Sequence, residues 1–183
     1  YVGSDYGTAE LCALGQICIN LGIDSKMAQA INEGKDLHLE LASKLLNITY
    51  EEAKERKQKG DKQVKEMRQL AKVPNFGLPG GLSADGLQSF AKSAYDIELN
   101  LETCQQLKTS WFETWTEMKP YFNFVSKQVK KGYMVQHFTG RVRGGVGFTD
   151  GANTLFQGLV ADGAKEALNK VVYACFMDTF SPL

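Results

Sequence analysis

Apolar residues recur every three or four positions along most of the chain, in stretches separated by short polar or glycine-bearing breaks. In AELCALGQICINL, Leu11, Leu14, Ile17, Cys18 and Leu21 fall at helical intervals, so one stripe of a helix turns inward. DSKMAQAINEG opens on Asp24 or Ser25 as an N-cap and closes on Gly34, the chemistry of a short helix with a glycine stop. KDLHLELASKLLN puts Leu37, Leu41, Leu45 and Leu46 on one face of a third helix. Thr49 opens a further one, with Glu52 in the spacing of a capping box. Helical spacing resumes between Ser83 and Lys131, where Trp111, Trp115 and Met118 read as core. The period changes in YMVQHFTGRVRGGVGF, whose β-branched and aromatic residues broken by glycines predict a hairpin. Residues 153–180 return to helix, and residues 1–5 read as a short strand. The expected fold is α-rich α+β with a little antiparallel sheet.

Composition narrows the function classes. With 21 basic and 21 acidic residues among 183, no global field commits the chain to a polyanion or a membrane surface. No apolar run approaches the roughly 18 residues a membrane helix needs, and no signal-peptide pattern appears. Cys12, Cys18, Cys104 and Cys175 are widely spaced and only two histidines accompany them, which argues against zinc and for reduced thiols in an intracellular protein. The ends, YVGSDYG and VVYACFMDTFSPL, lack a polar taper, so a piece of a longer polypeptide is expected.

Local charge changes the picture. Between Glu51 and Lys72, Lys54, Arg56, Lys57, Lys59, Lys62, Lys65, Arg68 and Lys72 face Glu51, Glu52, Glu55, Asp61 and Glu66; the plain reading is a solvated helix face. From Lys119 to Thr149 there are Lys119, Lys127, Lys130, Lys131, Arg141 and Arg143 and no acidic residue, a local charge of +6. Such a stretch, with glycines that admit another backbone, suits a phosphate-lined surface; an ordinary exposed helix and hairpin is the alternative.

RQLAKVPNFGLPGG sets Arg68, Lys72, Phe76 and Gly80 four apart. On a helix, two cations at i and i+4 can point at one anionic group, Arg as a planar fork and Lys as a mobile point charge. Phe76 would add an apolar wall against a base or sugar. A pair of surface cations is the alternative. Pro74 lies inside this segment and predicts a kink or break at Val73–Pro74. Asp5, at the end of the apolar strand, reads either as a turn residue or as a metal ligand, with Glu10 five residues on.

The order of these features resembles the family A DNA polymerases. SDYGTAEL is similar to the family's first polymerase motif and EGKDLH to its Gly-x-Asp-Ile-His stretch. RQLAKVPNFGLPGG resembles the fingers helix Arg-x3-Lys-x3-Phe-x3-Tyr-Gly. TGRVR is similar to the Gly-Arg-Arg hairpin, and NTLFQGLVADGAKEAL to the helix that follows it. The resemblance implies a palm segment over residues 1–23, fingers over 24–132, and a palm-side hairpin and helix over 133–183, without thumb, exonuclease module or final palm motif. It implies template-directed DNA synthesis in a full-length parent, with dNTP and primer–template DNA as partners and Mg²⁺ as cofactor. Asp5 and the Tyr6 carbonyl would hold metal, and Asp5 and Lys72 would serve catalysis. His38, Arg68, Lys72, Phe76 and the Gly80 position would meet the nucleotide, with Glu10 as steric gate. Arg141, Asn153 and Gln157 would lie along DNA.

Three departures accompany the resemblance. Gly80 stands where the family has Tyr, and Thr8 where it has Gln. No histidine is followed by aspartate, so the second metal-binding Asp of the family's last motif is missing. The chain alone is therefore expected not to extend primers, and the unusual VPNFGLPGG suggests a divergent, phage-like branch. A polymerase-derived DNA- or nucleotide-binding protein that has lost catalysis is the alternative.

Overall fold

Capping side chains set most of the helix starts. The computed structural model describes residues 6–176, so the expected strand over residues 1–5 lies outside the described residues. Helix α1 (Ala9–Asn20) is followed by α2 (Lys26–Asn32), α3 (Leu37–Leu45), α4 (Tyr50–Gln58) and α5 (Lys62–Leu70). Ser25, Asp36, Thr49 and Asp61 each accept a first-turn backbone N–H at the start of α2 to α5, which satisfies donors the helix itself cannot pair. The charged run from Glu51 to Lys72 is two helices, not one: Gly60 at φ 89° turns the chain between α4 and α5.

The expected break near Pro74 occurs three residues before it. Helix α5 ends at Leu70, α6 (Lys72–Gly77) starts after Ala71, and a 3-10 turn follows over Leu78–Gly80. Proline has no N–H for the Leu70 carbonyl and its ring would press on that turn, so the older helix stops there. Pro74 then occupies the first turn of α6, where a missing N–H costs nothing. Arg68, Lys72, Phe76 and Gly80 consequently sit on three short segments rather than one helix face.

Helices α7 (Ala84–Tyr95), α8 (Leu101–Thr114) and α9 (Met118–Val129) lead into the hairpin β1 (Tyr133–Val135) and β2 (Val142–Gly144), paired antiparallel with Met134 opposite Arg143. Helix α10 (Phe148–Phe176) closes the described chain. It begins before residue 153, because Gly151 is there for packing rather than for a turn. A Cβ at Gly151 would stand 2.6 Å from Val129 Cγ2, so the glycine lets α10 settle onto α9.

One core joins these elements. Leu11, Leu14 and Ile17 of α1 meet Leu78, Trp111, Trp115, Met118, Tyr121, Leu155 and Phe156 within it. Each large apolar side chain so buried contributes roughly 1.5–3 kcal/mol. The two tryptophans and Met118 are core, as their spacing predicts. Tyr121 donates from its hydroxyl to the Ala152 carbonyl at 2.6 Å, and the buried Glu117 accepts from Ser25 Oγ and the Met27 N–H. A smaller cluster of Leu39, Ala53 and Val64 holds α3, α4 and α5 together.

Candidate functional site

The start of α3 gathers the first group of charges. Asp36 caps α3 through Oδ1, which accepts the N–H groups of His38 and Leu39, both at 3.1 Å. Its Oδ2 accepts from Arg68 Nε at 2.6 Å and from Lys57 Nζ at 3.0 Å. Burial pushes this carboxyl up, but the hydrogen bonds and charges of Arg68 and Lys57 outweigh that and hold it at about 2. Arg68 is thereby aimed by a carboxylate from another helix. Gly7, Thr8, Cys12, Asp36, His38 and Arg68 face a common cleft of about 380 Å³.

His38 lies in the same corner and is 7% exposed. Its ring is 5.2 Å, centroid to centroid, from that of Phe76. Burial pushes its pKa down to about 4; Asp36 opposes the shift, while Arg68 and Lys72 reinforce it. The imidazole is therefore neutral at pH 7. Lys72, on the first turn of α6, is close enough to act on that ring electrostatically, so the break at Ala71 has not separated the cations. Arg68, Lys72, His38 and Phe76 converge from α3, α5 and α6.

A second group forms along α10 and the hairpin. Arg141, Arg143, Asn153, Thr154, Gln157 and Gly158 line a groove of about 390 Å³. Two carboxylates temper its charge: Arg141 pairs with Asp162 at 3.3 Å and Arg143 with Asp150 at 3.2 Å. Gln157 Nε2 donates to Glu10 Oε1 at 3.3 Å, which brings the expected gate beside the expected DNA-facing helix. Gly80 abuts Asn153, whose amide nitrogen would lie 3.0 Å from a Cβ at that position. That contact joins the two groups.

The remaining expectations fare differently. Asp5 lies outside the described residues, and Tyr6 is 61% exposed. Among the described residues, no group of three or more His, Cys, Asp or Glu side chains could hold a metal ion, and no helix is long and apolar enough to cross a membrane. Two residues of the site carry no role in the sequence reading. Asp36 sits inside EGKDLH, where its value as an N-cap was the available signal. Asn75 is fully buried in α6 and hydrogen-bonds His38, Trp111 and Trp115; a lone Asn between Pro74 and Phe76 gives no local sign of that.

Comparison with known proteins adds a second line of observation. Residues 1–175 match the family model described as DNA polymerase family A. The chain is 36% identical over 170 residues to DNA polymerase I of Aquifex aeolicus, covering 92% of this chain and 27% of that protein. It is 26% identical over 182 residues to DNA polymerase I of Helicobacter pylori, covering 93% of this chain and 18% of the relative. Among solved structures it resembles the POL domain of Pol1 from M. smegmatis, a complex with DNA primer-template and dNTP, with a TM-score of 0.65 and 24% identity. That likeness, one of fold, covers 88% of this chain and 27% of the other. The chain thus spans less than a third of the length of these relatives.

Proposed function

The chain belongs to DNA polymerase family A, and from that premise we propose that it is the nucleotide-selecting part of a template-directed DNA polymerase. Residues 24–132 are the fingers, and residues 1–23 and 133–183 are palm segments. The incoming dNTP lies against Arg68, Lys72, His38 and Phe76, and primer–template DNA runs along Arg141, Asn153 and Gln157. The observation that supports this reading is the convergence of two cations, a neutral imidazole and a ring on one corner, despite the helix break between Arg68 and Lys72.

The chemistry follows from the groups present. Transfer of a nucleotidyl group to a primer 3′-hydroxyl expels pyrophosphate, whose growing negative charge is stabilised by donors already in place. Arg68, oriented by Asp36, presents the unpaired edge of its fork to phosphate oxygens. Lys72 follows the charge as a flexible ammonium. Phe76 covers the base or sugar and excludes water. Glu10, held by Gln157, crowds the position of a ribose 2′-hydroxyl, and the Gly80 position lies beside the DNA-facing Asn153.

Family A polymerases generally use divalent metal ions, and Asp5 with the Tyr6 carbonyl is the assignment for Mg²⁺ in this reading. The described residues do not assemble a ligand set for it, so the roles given to this chain are binding and orientation. No histidine in the sequence is followed by aspartate, so the 183-residue chain by itself is expected not to extend a primer; measurable templated incorporation would refute that.

The test is Lys72→Ala in a polymerase containing this segment. Single-nucleotide incorporation falls by about a hundredfold, the scale of one lost transition-state donor, while primer–template affinity is unchanged. Equal incorporation by both proteins refutes the reading.

A further inference from the structure

The neighbours of Asn75 fix the position of a proton on His38. Indole N–H groups only donate. Trp111 Nε1 and Trp115 Nε1 stand 3.1 Å and 3.0 Å from the same terminal atom of Asn75, so that atom is the amide oxygen. The other terminal atom is therefore the NH₂, and it lies 3.0 Å from His38 Nδ1 and 3.3 Å from the Leu37 carbonyl. An amide NH₂ has no lone pair to offer. Nδ1 must then be the acceptor, and the proton of a neutral ring sits on Nε2.

We propose that Asn75 is a positioning residue: clamped by the two indoles, it keeps His38 in the Nε2–H form, so that the ring offers the nucleotide phosphates a neutral hydrogen-bond donor. The phosphate half of this statement rests on the reading given under Proposed function; the proton assignment does not. The clamp draws on three helices, His38 from α3, Asn75 from α6 and the tryptophans from α8. Asn75, Trp111 and Trp115 are each at most 1% exposed, so water does not compete for these bonds.

The charges facing the ring agree with this assignment. Asp36 reaches it from the cap of α3, Arg68 from α5 and Lys72 from α6. Two cations against one carboxylate, in a buried setting, disfavour an imidazolium. A third positive charge would also compete with Arg68 and Lys72 for the same anion. A neutral N–H adds a directional bond without that repulsion, and its availability does not change between pH 8 and pH 6.

The chain contains two histidines, His38 and His137, so ¹⁵N-histidine labelling with a His137→Gln control assigns the signals. The expected spectrum shows His38 Nδ1 unprotonated and Nε2 protonated from pH 8 to pH 6. An Nδ1–H tautomer, or an imidazolium at pH 7, overturns the proposal, and this measurement needs no variant to fold. Asn75→Asp replaces the NH₂ by an acceptor. The proton then moves to Nδ1 and the ring titrates above the ordinary 6.5; an unchanged tautomer in a folded variant overturns the proposal. Addition of dATP to the chain reads the other premise. A shift at Nε2 with Nδ1 unmoved supports the phosphate-facing role. The stated tautomer with Nε2 unmoved at saturating dATP refutes the nucleotide reading and leaves the role of Asn75 as proton-setter supported.

Discussion

Replacing Asp36 by Asn removes one charge from the corner of the site while keeping its helix cap, since Asn and Asp cap equally well. The Asp36 carboxyl is held at about 2 against an ordinary 3.8. At 1.36 kcal/mol per pKa unit, that difference makes the ionised form worth about 2 kcal/mol of folding stability. The side chain is 23% exposed, so added salt trims this figure without abolishing it. The sign follows from the depressed pKa: the contribution is complete above pH 3.8 and disappears as pH falls toward 2. Asp36→Asn is therefore less stable by about 2 kcal/mol at pH 7, and the two proteins converge near pH 2. For a domain of this size the loss lowers Tm by about 4–8 °C. Urea denaturation followed by circular dichroism at several pH values measures it. Equal stability at pH 7, or a gap that persists unchanged at pH 2, refutes the assignment of Arg68 and Lys57 to Asp36.

His38 is neutral in the fold with its pKa near 4 against 6.5. The unfolded chain therefore takes up a proton first as pH falls, and stability drops by about 3 kcal/mol between pH 6.5 and 4; His38→Gln flattens that slope in denaturation curves, and a slope that survives refutes the cause. Gly81 has φ 83°, and a Cβ there would collide with the Phe148 ring, so Gly81→Ala costs about 3 kcal/mol from left-handed strain and overpacking; a Tm within 2 °C of the parent contradicts it.

Local chemistry was legible in the sequence and long-range pairing was not. Ser25 and Thr49 are caps because a hydroxyl before a helical run has one nearby use, and the structure keeps both. Trp111, Trp115 and Met118 were readable as core from spacing alone. The place of the break was not, because the pattern from Arg68 to Phe76 is helical and only Pro74 opposes it. Proline acts on the carbonyl four residues earlier, so the older helix yields at Leu70 rather than at the proline itself. The start of α10 was hidden for a related reason: Gly151 looks like a loop residue until Val129 is placed against it. Motif order singled out Arg68, Lys72, His38 and Phe76, and the structure brings them to one corner. Asn75 escaped because its partners Trp111 and Trp115 lie 36 and 40 residues away, and no local period reports a buried amide between two indoles.

The Gly80 departure and the packing of α10 belong together. Where the family carries a tyrosine, this chain has a glycine whose Cβ position is 3.0–3.1 Å from the terminal amide atoms of Asn153. A ring at residue 80 would have to displace that amide and lift α10 from the 3-10 turn. The close approach is thus conditional on glycine, and it makes Asn153 a direct neighbour of the segment that carries Lys72 and Phe76. Glu10 is tied to the same helix one turn further on, through Gln157. Glu10, the 3-10 turn that ends at Gly80 and the groove lined by Arg141 and Arg143 therefore meet at Asn153 and Gln157 of α10. A displacement of α10 would be felt at Gly80 and at Glu10 together. The 3-10 turn and α10 meet at the bare backbone of residue 80, where the family pattern supplies a side chain.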